Sequence, residues 1–140
     1  MNADETRIKE LEPAGSHPDK LLHRDVTEAV IGVAFAVHSE LGYGFLEKVY
    51  QQALQVELIR ANRRAELEVP IAVRYGGVIV GEYFADLLVD GVVVVEIKVA
   101  ADYRPADEAQ LLNQLKATSM RVGLLINFGR SKVQFRRMVL

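Results

Sequence analysis

Apolar positions recur with two different periods along this chain, and the change of period marks its organisation. Val26, Val30, Val33, Val37 and Leu41 return every three to four residues, the spacing that lines one face of a helix. Asp25 with Glu28 has the spacing of a capping box, and Gly42 suits the helix C-terminus. A second helix is predicted from near Phe45 to about Arg60, with Leu46, Val49, Tyr50, Ala53 and Val56 as its apolar stripe. The period then falls to two. Leu67, Val69, Ile71, Val73 and Tyr75 alternate with polar or small residues, as on a half-buried strand, and Pro70 among them predicts an edge strand or a bulge.

Turn chemistry divides the rest. Gly76-Gly77 predicts a hairpin turn, followed by a strand over 78–89. Asp90-Gly91 predicts a second turn, followed by a strand over 92–99. Pro105 opens a third helix as a first-turn proline; it ends near Thr118 and buries Leu111, Leu112 and Leu115. The run 122–128 is continuously apolar, as in a fully buried strand, and 133–139 forms a last strand. The order is α-α-β-β-β-α-β-β. A helix between strands permits a crossover, so the class is α/β or α+β with a mixed sheet.

Composition narrows the chemistry. Half of the 140 residues are apolar and 26% are charged, as in a folded globular protein. The first twenty residues are polar and acidic, with Pro13, Gly15 and Pro18, and read as a flexible leader; residues 21–140 read as one domain. The absence of cysteine excludes disulfides, a zinc ribbon and a thiol nucleophile. His17, His23 and His38 stand too far apart for a paired-histidine metal motif. A net charge of −2 excludes a uniformly basic nucleic-acid coat, although Arg130, Lys132, Arg136 and Arg137 offer a local patch. Neither a signal peptide nor a membrane-length apolar run is evident, since Glu96 and Lys98 break the longest candidate. A soluble cytoplasmic protein, without membrane association, is the expectation.

The same two residues are the oddest in the chain. Glu96 and Lys98 interrupt the run VVVVEIKV at a spacing of two, so they share one face of a strand. Asp86 is a lone charge among the apolar residues of the run Tyr83 to Val89 in the preceding strand. Register decides whether it meets Glu96. A two-residue turn at Asp90-Gly91 pairs Val89 with Val92 and leaves Asp86 opposite Val95. A three-residue loop pairs Val89 with Val93, and hence Asp86 with Glu96. Converging carboxylates would supply hard oxygen ligands for magnesium or manganese, and the lysine would stabilise developing negative charge or orient a water. The competing reading is a solvated sheet face with a Glu–Lys surface pair.

Other candidates have simpler alternatives. Glu47, in the first turn of the second helix, either answers the helix dipole or joins a metal site. Gln110 and Gln114, one turn apart, either face solvent or serve a site, holding a phosphate or orienting a catalytic residue. His38 is most simply a partner of the helix C-terminus, and Tyr50 a core residue with a hydroxyl at the core's edge.

Asp86 followed by Glu96-Ile97-Lys98 resembles the D…(D/E)xK signature of the PD-(D/E)xK nuclease superfamily, with Ala85 where a proline usually precedes the aspartate. The segment Gly44-Phe45-Leu46-Glu47-Lys48-Val49-Tyr50 resembles the motif that names the GxxExxY protein family, and the similarity runs from about Leu22 to Leu140. This resemblance implies a restriction-endonuclease-like core, a mixed sheet flanked by helices. It implies Asp86, Glu96 and the Ile97 carbonyl as ligands of Mg2+ or Mn2+, with Glu47 able to join them. Lys98 would position or activate water. Gln110 resembles the glutamine of a QxxxY motif whose tyrosine is here Gln114, so both are candidate substrate contacts. The implied activity is metal-dependent hydrolysis of nucleic acid, DNA in the first instance. A catalytically inactive binding or regulatory module on the same fold is the alternative, and a homodimer is expected through the edge strand marked by Pro70 or through the last strand.

Overall fold

A computed structural model of the chain describes residues 22–140. The leader expected over residues 1–20 lies outside them. Helices α1 (Arg24–Leu41) and α2 (Glu47–Arg60) precede strands β1 (Ala65–Tyr75), β2 (Val78–Val89) and β3 (Val93–Lys98). Helix α3 (Pro105–Thr118) then leads to β4 (Val122–Asn127) and β5 (Gln134–Val139). This is the predicted order, and the fold is the expected α+β architecture.

Two helix details differ from expectation. α1 begins two residues early, with His23 rather than Asp25 as N-cap, in a left-handed conformation (φ 53°) and with no capping side chain. Glu28 instead pairs with Arg24 at 2.9 Å, one turn along the exposed face, so the Asp25–Glu28 capping box does not form. α2 buries Tyr50, Gln51, Leu54 and Leu58, whereas Leu46, Val49 and Val56 are exposed. The core face follows the i, i+4, i+8 series from Tyr50, and Leu46 belongs to the preceding turn.

The sheet runs β1-β2-β3-β4-β5, antiparallel except for the β3–β4 pair, which is parallel. α3 makes the crossover that a parallel pair requires. β1 is an edge, as Pro70 predicts, and Tyr75 pairs with Val78 across Gly76-Gly77, both glycines at positive φ. Val93, Val95 and Ile97 bury one face against α1 and α2; Val94 and Leu125 bury the other with Leu111 and Leu115 of α3. Tight spacing is set by Gly123, where an added Cβ would lie 2.8 Å from Leu111, and by Gly129, packed on the Ala100 backbone.

β1 and β2 change faces partway along. Ala65, Leu67, Leu87 and Val89 join the α1–α2 core, but Val69, Ile71 and Ala85 join the α3 core. Residues two apart normally share a face. The break falls at Glu68, which has φ 51°, and at Asp86; the paired register passes from Leu67–Leu87 to Val69–Ala85 around them. Two polar residues thus sit where the sheet exchanges one core for the other.

Candidate active site

The loop between β2 and β3 has the odd length. Val89 pairs with Val93, Leu88 with Val94 and Leu87 with Val95, leaving Asp90-Gly91-Val92 as a three-residue connection. Asp90 and Gly91 both take positive φ (53° and 69°). The Asp90 carboxylate fixes the loop by accepting from Arg63 Nη1 and the Arg64 N–H, each at 2.9 Å. Desolvation pushes its pKa up, but those hydrogen bonds and the charges of Arg63 and Arg64 together outweigh it and hold the pKa below the ordinary value.

This register brings Asp86 level with Glu96. Beyond Leu87–Val95 the side chains take over the ladder. Ile97 N–H donates to Asp86 Oδ2 at 2.7 Å, and Asp86 N–H lies 3.4 Å from Glu96 Oε1. Each carboxylate therefore engages the other strand's side of the junction. Glu96 is 3% exposed. Burial first, and the neighbouring Asp86 charge second, push its pKa up to about 8. Asp86 is raised too, chiefly by burial, against the hydrogen bonds from Ile97 and to Glu96.

Glu47 opens α2, where the expected first-turn position is confirmed. Tyr50 secures the approach: its hydroxyl donates to the Gly42 carbonyl at 2.6 Å and its ring stacks on Phe128 with centroids 4.5 Å apart. Gly44 in the same turn has φ 113°, a conformation that only glycine adopts readily. The Glu47 carboxyl is raised by partial desolvation and then by Asp86, while Lys98 pulls it down. Glu47, Asp86 and Lys98 thus sense one another's charge.

Lys98 ends β3 on the face of Glu96. Its Nζ lies 3.7 Å from Asp107 Oδ1. Asp107, 4% exposed, also accepts the Arg104 N–H at 3.0 Å, so the N-terminus of α3 holds the lysine. Sequence reasoning missed Asp107; its signal was an acid two residues after the helix-opening proline, ordinarily a cap. It also missed Glu68 and Gln51. Gln51 Nε2 donates to Glu68 Oε1 at 3.0 Å and to the Asp86 carbonyl at 2.8 Å.

The remaining candidates divide. Gln114 is 1% exposed, so it does not line a solvated helix face. Its amide lies near enough to Glu96 to favour that carboxylate's charged form, yet neither polar atom reaches a hydrogen-bond partner. Gln110, one turn earlier, is half-buried. Ile97 buries its side chain against α1 and α2 while its N–H serves Asp86. His38 does not cap α1: its Nε2 lies 2.7 Å from the Arg130 carbonyl, and its ring stacks on Phe128. The four-residue basic patch also contracts. Arg136 pairs with Glu108 over the Tyr103 ring, and Arg137 is buried with Nη2 2.6 Å from the Leu22 carbonyl. Arg130 and Lys132 stay exposed in the turn after β4, at the end of the sheet where Lys98 sits, and Arg104 is exposed ahead of α3.

The donor set fits a hard divalent cation. Two neighbouring carboxylates in a low-dielectric setting repel, and a cation would relieve both the repulsion and the burial cost. Among the described residues no three carboxylate or imidazole side chains gather into a cation cage. Magnesium is commonly held by one or two carboxylates, with water and substrate phosphates completing the shell. No described helix is long and apolar enough to cross a membrane.

Comparison with known proteins agrees with this geometry. The chain is similar to the protein in the crystal structure of SSO0001, with 21% identity and a TM-score of 0.52 over 86% of this chain. It spans 61% of that protein's length, and the likeness concerns the fold alone. No curated protein matches the chain. A model of the PD-(D/E)XK nuclease superfamily matches residues 24–138, which takes in both helices that precede the sheet and every strand. That match covers more than half of the chain, and the chain belongs to the PD-(D/E)XK nuclease superfamily.

Proposed function

We propose that this protein is a Mg2+- or Mn2+-dependent nuclease that hydrolyses phosphodiester bonds in DNA. The observation that carries the reading is the meeting of Asp86 and Glu96 across one hairpin, with Lys98 on the same strand face as Glu96. Asp86, Glu96 and the Ile97 carbonyl are the proposed ligands, and Glu47 joins the site through the attacking water. The bound cation would offset the carboxylate charge and that of the phosphate oxygens. Lys98, steadied by Asp107, orients the attacking water and stabilises negative charge as it develops on the phosphate. The raised pKa of Glu47 suits it to accept that water's proton. Arg104, Arg130 and Lys132, exposed near the same end of the sheet, engage flanking phosphates. Gln110 contacts the substrate, whereas Gln114 supports Glu96 from inside. The turn built by Gly44 and Tyr50 to present Glu47 supports placement in the GxxExxY branch of the superfamily.

The test is cleavage of single-stranded and duplex DNA, and of RNA, with Mg2+ or Mn2+. Lys98→Ala is expected to lower the rate by roughly 10²–10³-fold, the scale of removing one transition-state contact, with an unchanged circular dichroism spectrum. Full activity in that variant refutes the mechanism. DNA binding that persists in chelator, without cleavage by the wild type, identifies a non-catalytic module instead.

A further inference from the structure

Glu68 is strained. It has φ 51° inside β1, a left-handed conformation that disfavours a residue with a Cβ, and it faces the break opposite Asp86. A glycine there would adopt the same backbone freely. The chain also dedicates a buried amide to this residue: Gln51, 3% exposed, donates through Nε2 to Glu68 Oε1 and to the Asp86 carbonyl. Gln51 thus ties the exposed Glu68 carboxylate to the Asp86 segment, at the expense of the β1 backbone. Gln114 gives an independent sign of a ligand. It is 1% exposed, lies against Glu96 and leaves both amide atoms without a hydrogen-bond partner.

We infer that Glu68 is a positioning residue of the cation site: its carboxylate, anchored by Gln51, accepts hydrogen bonds from the hydration shell of the divalent ion held by Asp86 and Glu96. This rests on the cation site proposed above. The role is through water, because Glu68 is exposed and its carboxylate is held by Gln51 rather than by the Asp86–Glu96 pair. Glu68 sets how tightly the ion is held, and the left-handed turn in β1 is what aims it.

Calorimetric titration of the full chain with MnCl2 tests this, alongside thermal unfolding in chelator. Glu68→Gln keeps an acceptor for Gln51 and removes the charge; its Mn2+ affinity is expected to fall about tenfold, the lower end for outer-shell ligands, with little change in Tm. Glu68→Gly is expected to lose the same affinity and to unfold at a higher temperature than wild type, because the strain is relieved while Gln51 keeps the Asp86 carbonyl. A merely structural Glu68 would move Tm and leave Mn2+ affinity alone. Wild-type binding with both variants within twofold overturns this inference only. No Mn2+ binding by wild type, with or without a short DNA duplex, overturns the cation site and this inference with it. If Glu68→Gln does not fold, Glu68→Gly decides alone.

Discussion

Removing the Glu96 charge should stabilise the metal-free protein, and the gain should grow with pH. Glu96 is buried beside Asp86, and its pKa stands near 8 in the folded chain against an ordinary value of 4.5. Between those values the folded state keeps a proton that the unfolded state has released. The unfolded state then binds fewer protons, so stability falls as pH rises through this window and levels off above it. At about 1.4 kcal/mol per pKa unit, the full interval is worth up to about 5 kcal/mol. Asp86 is raised as well and shares the pair's titration, so about 5 kcal/mol is the most that Glu96 alone accounts for. Glu96→Gln carries the neutral form at every pH. Urea unfolding in chelator should find the two proteins similar in stability near pH 4.5. By about pH 8.5 the variant should be the more stable by up to that amount. Saturating Mn2+ should restore the wild type at the higher pH and leave the variant little changed, because the ion binds the folded wild type preferentially. Parallel stability curves from pH 4.5 to pH 8.5, or a variant weaker at the alkaline end, would refute the claim that Glu96 is held protonated by burial and by Asp86.

Tyr50→Phe keeps the stack on Phe128 but deprives the Gly42 carbonyl of its donor. It is expected to cost about 1 kcal/mol in urea unfolding and to lower the cleavage rate several-fold by loosening the turn before Glu47; an unchanged rate would separate the turn from the site. Gly129→Ala would put a Cβ 2.3 Å from the Ala100 backbone nitrogen, where nothing flexible yields, whereas Gly123→Ala meets only the Leu111 side chain. Urea unfolding should show Gly129→Ala losing about 3 kcal/mol or more and Gly123→Ala markedly less; equal losses would contradict the close packing at Ala100.

Turn and proline chemistry was legible in the sequence, although the capping box read at Asp25–Glu28 was not formed. Pro105 set the start of α3, Gly76-Gly77 set its hairpin, and the lone charges at Asp86, Glu96 and Lys98 marked the site. Whether those charges met depended on loop parity, which Asp90-Gly91 leaves open and the positive φ at both residues settles. What stayed hidden was long-range. Gln51 reaches Glu68 and Asp86 across 17 and 35 residues, and Asp107 reaches back to Lys98 from the next helix. The buried face of α2 was read only in part: Tyr50 was placed on it, but Leu46, Val49 and Val56 were counted where Leu54 and Leu58 are buried. Arg136 and Arg137 looked like a basic patch because the sequence does not show that Glu108 and the Leu22 carbonyl claim them.

The three-residue loop also constrains how this chain can drift. Surface loops ordinarily tolerate insertions and deletions, since each added residue costs little closure entropy. Asp90-Gly91-Val92 is an exception, because its length carries parity. Losing or gaining one residue would swing Glu96 and Lys98 to the α1–α2 side of the sheet, while Ile97 turned toward α3. Two-residue changes preserve the facing of every side chain on β3. Along a lineage that keeps both carboxylates, this turn should therefore change length in steps of two, while substitutions within it accumulate freely except where Asp90 meets Arg63 and Gly91 holds its left-handed turn.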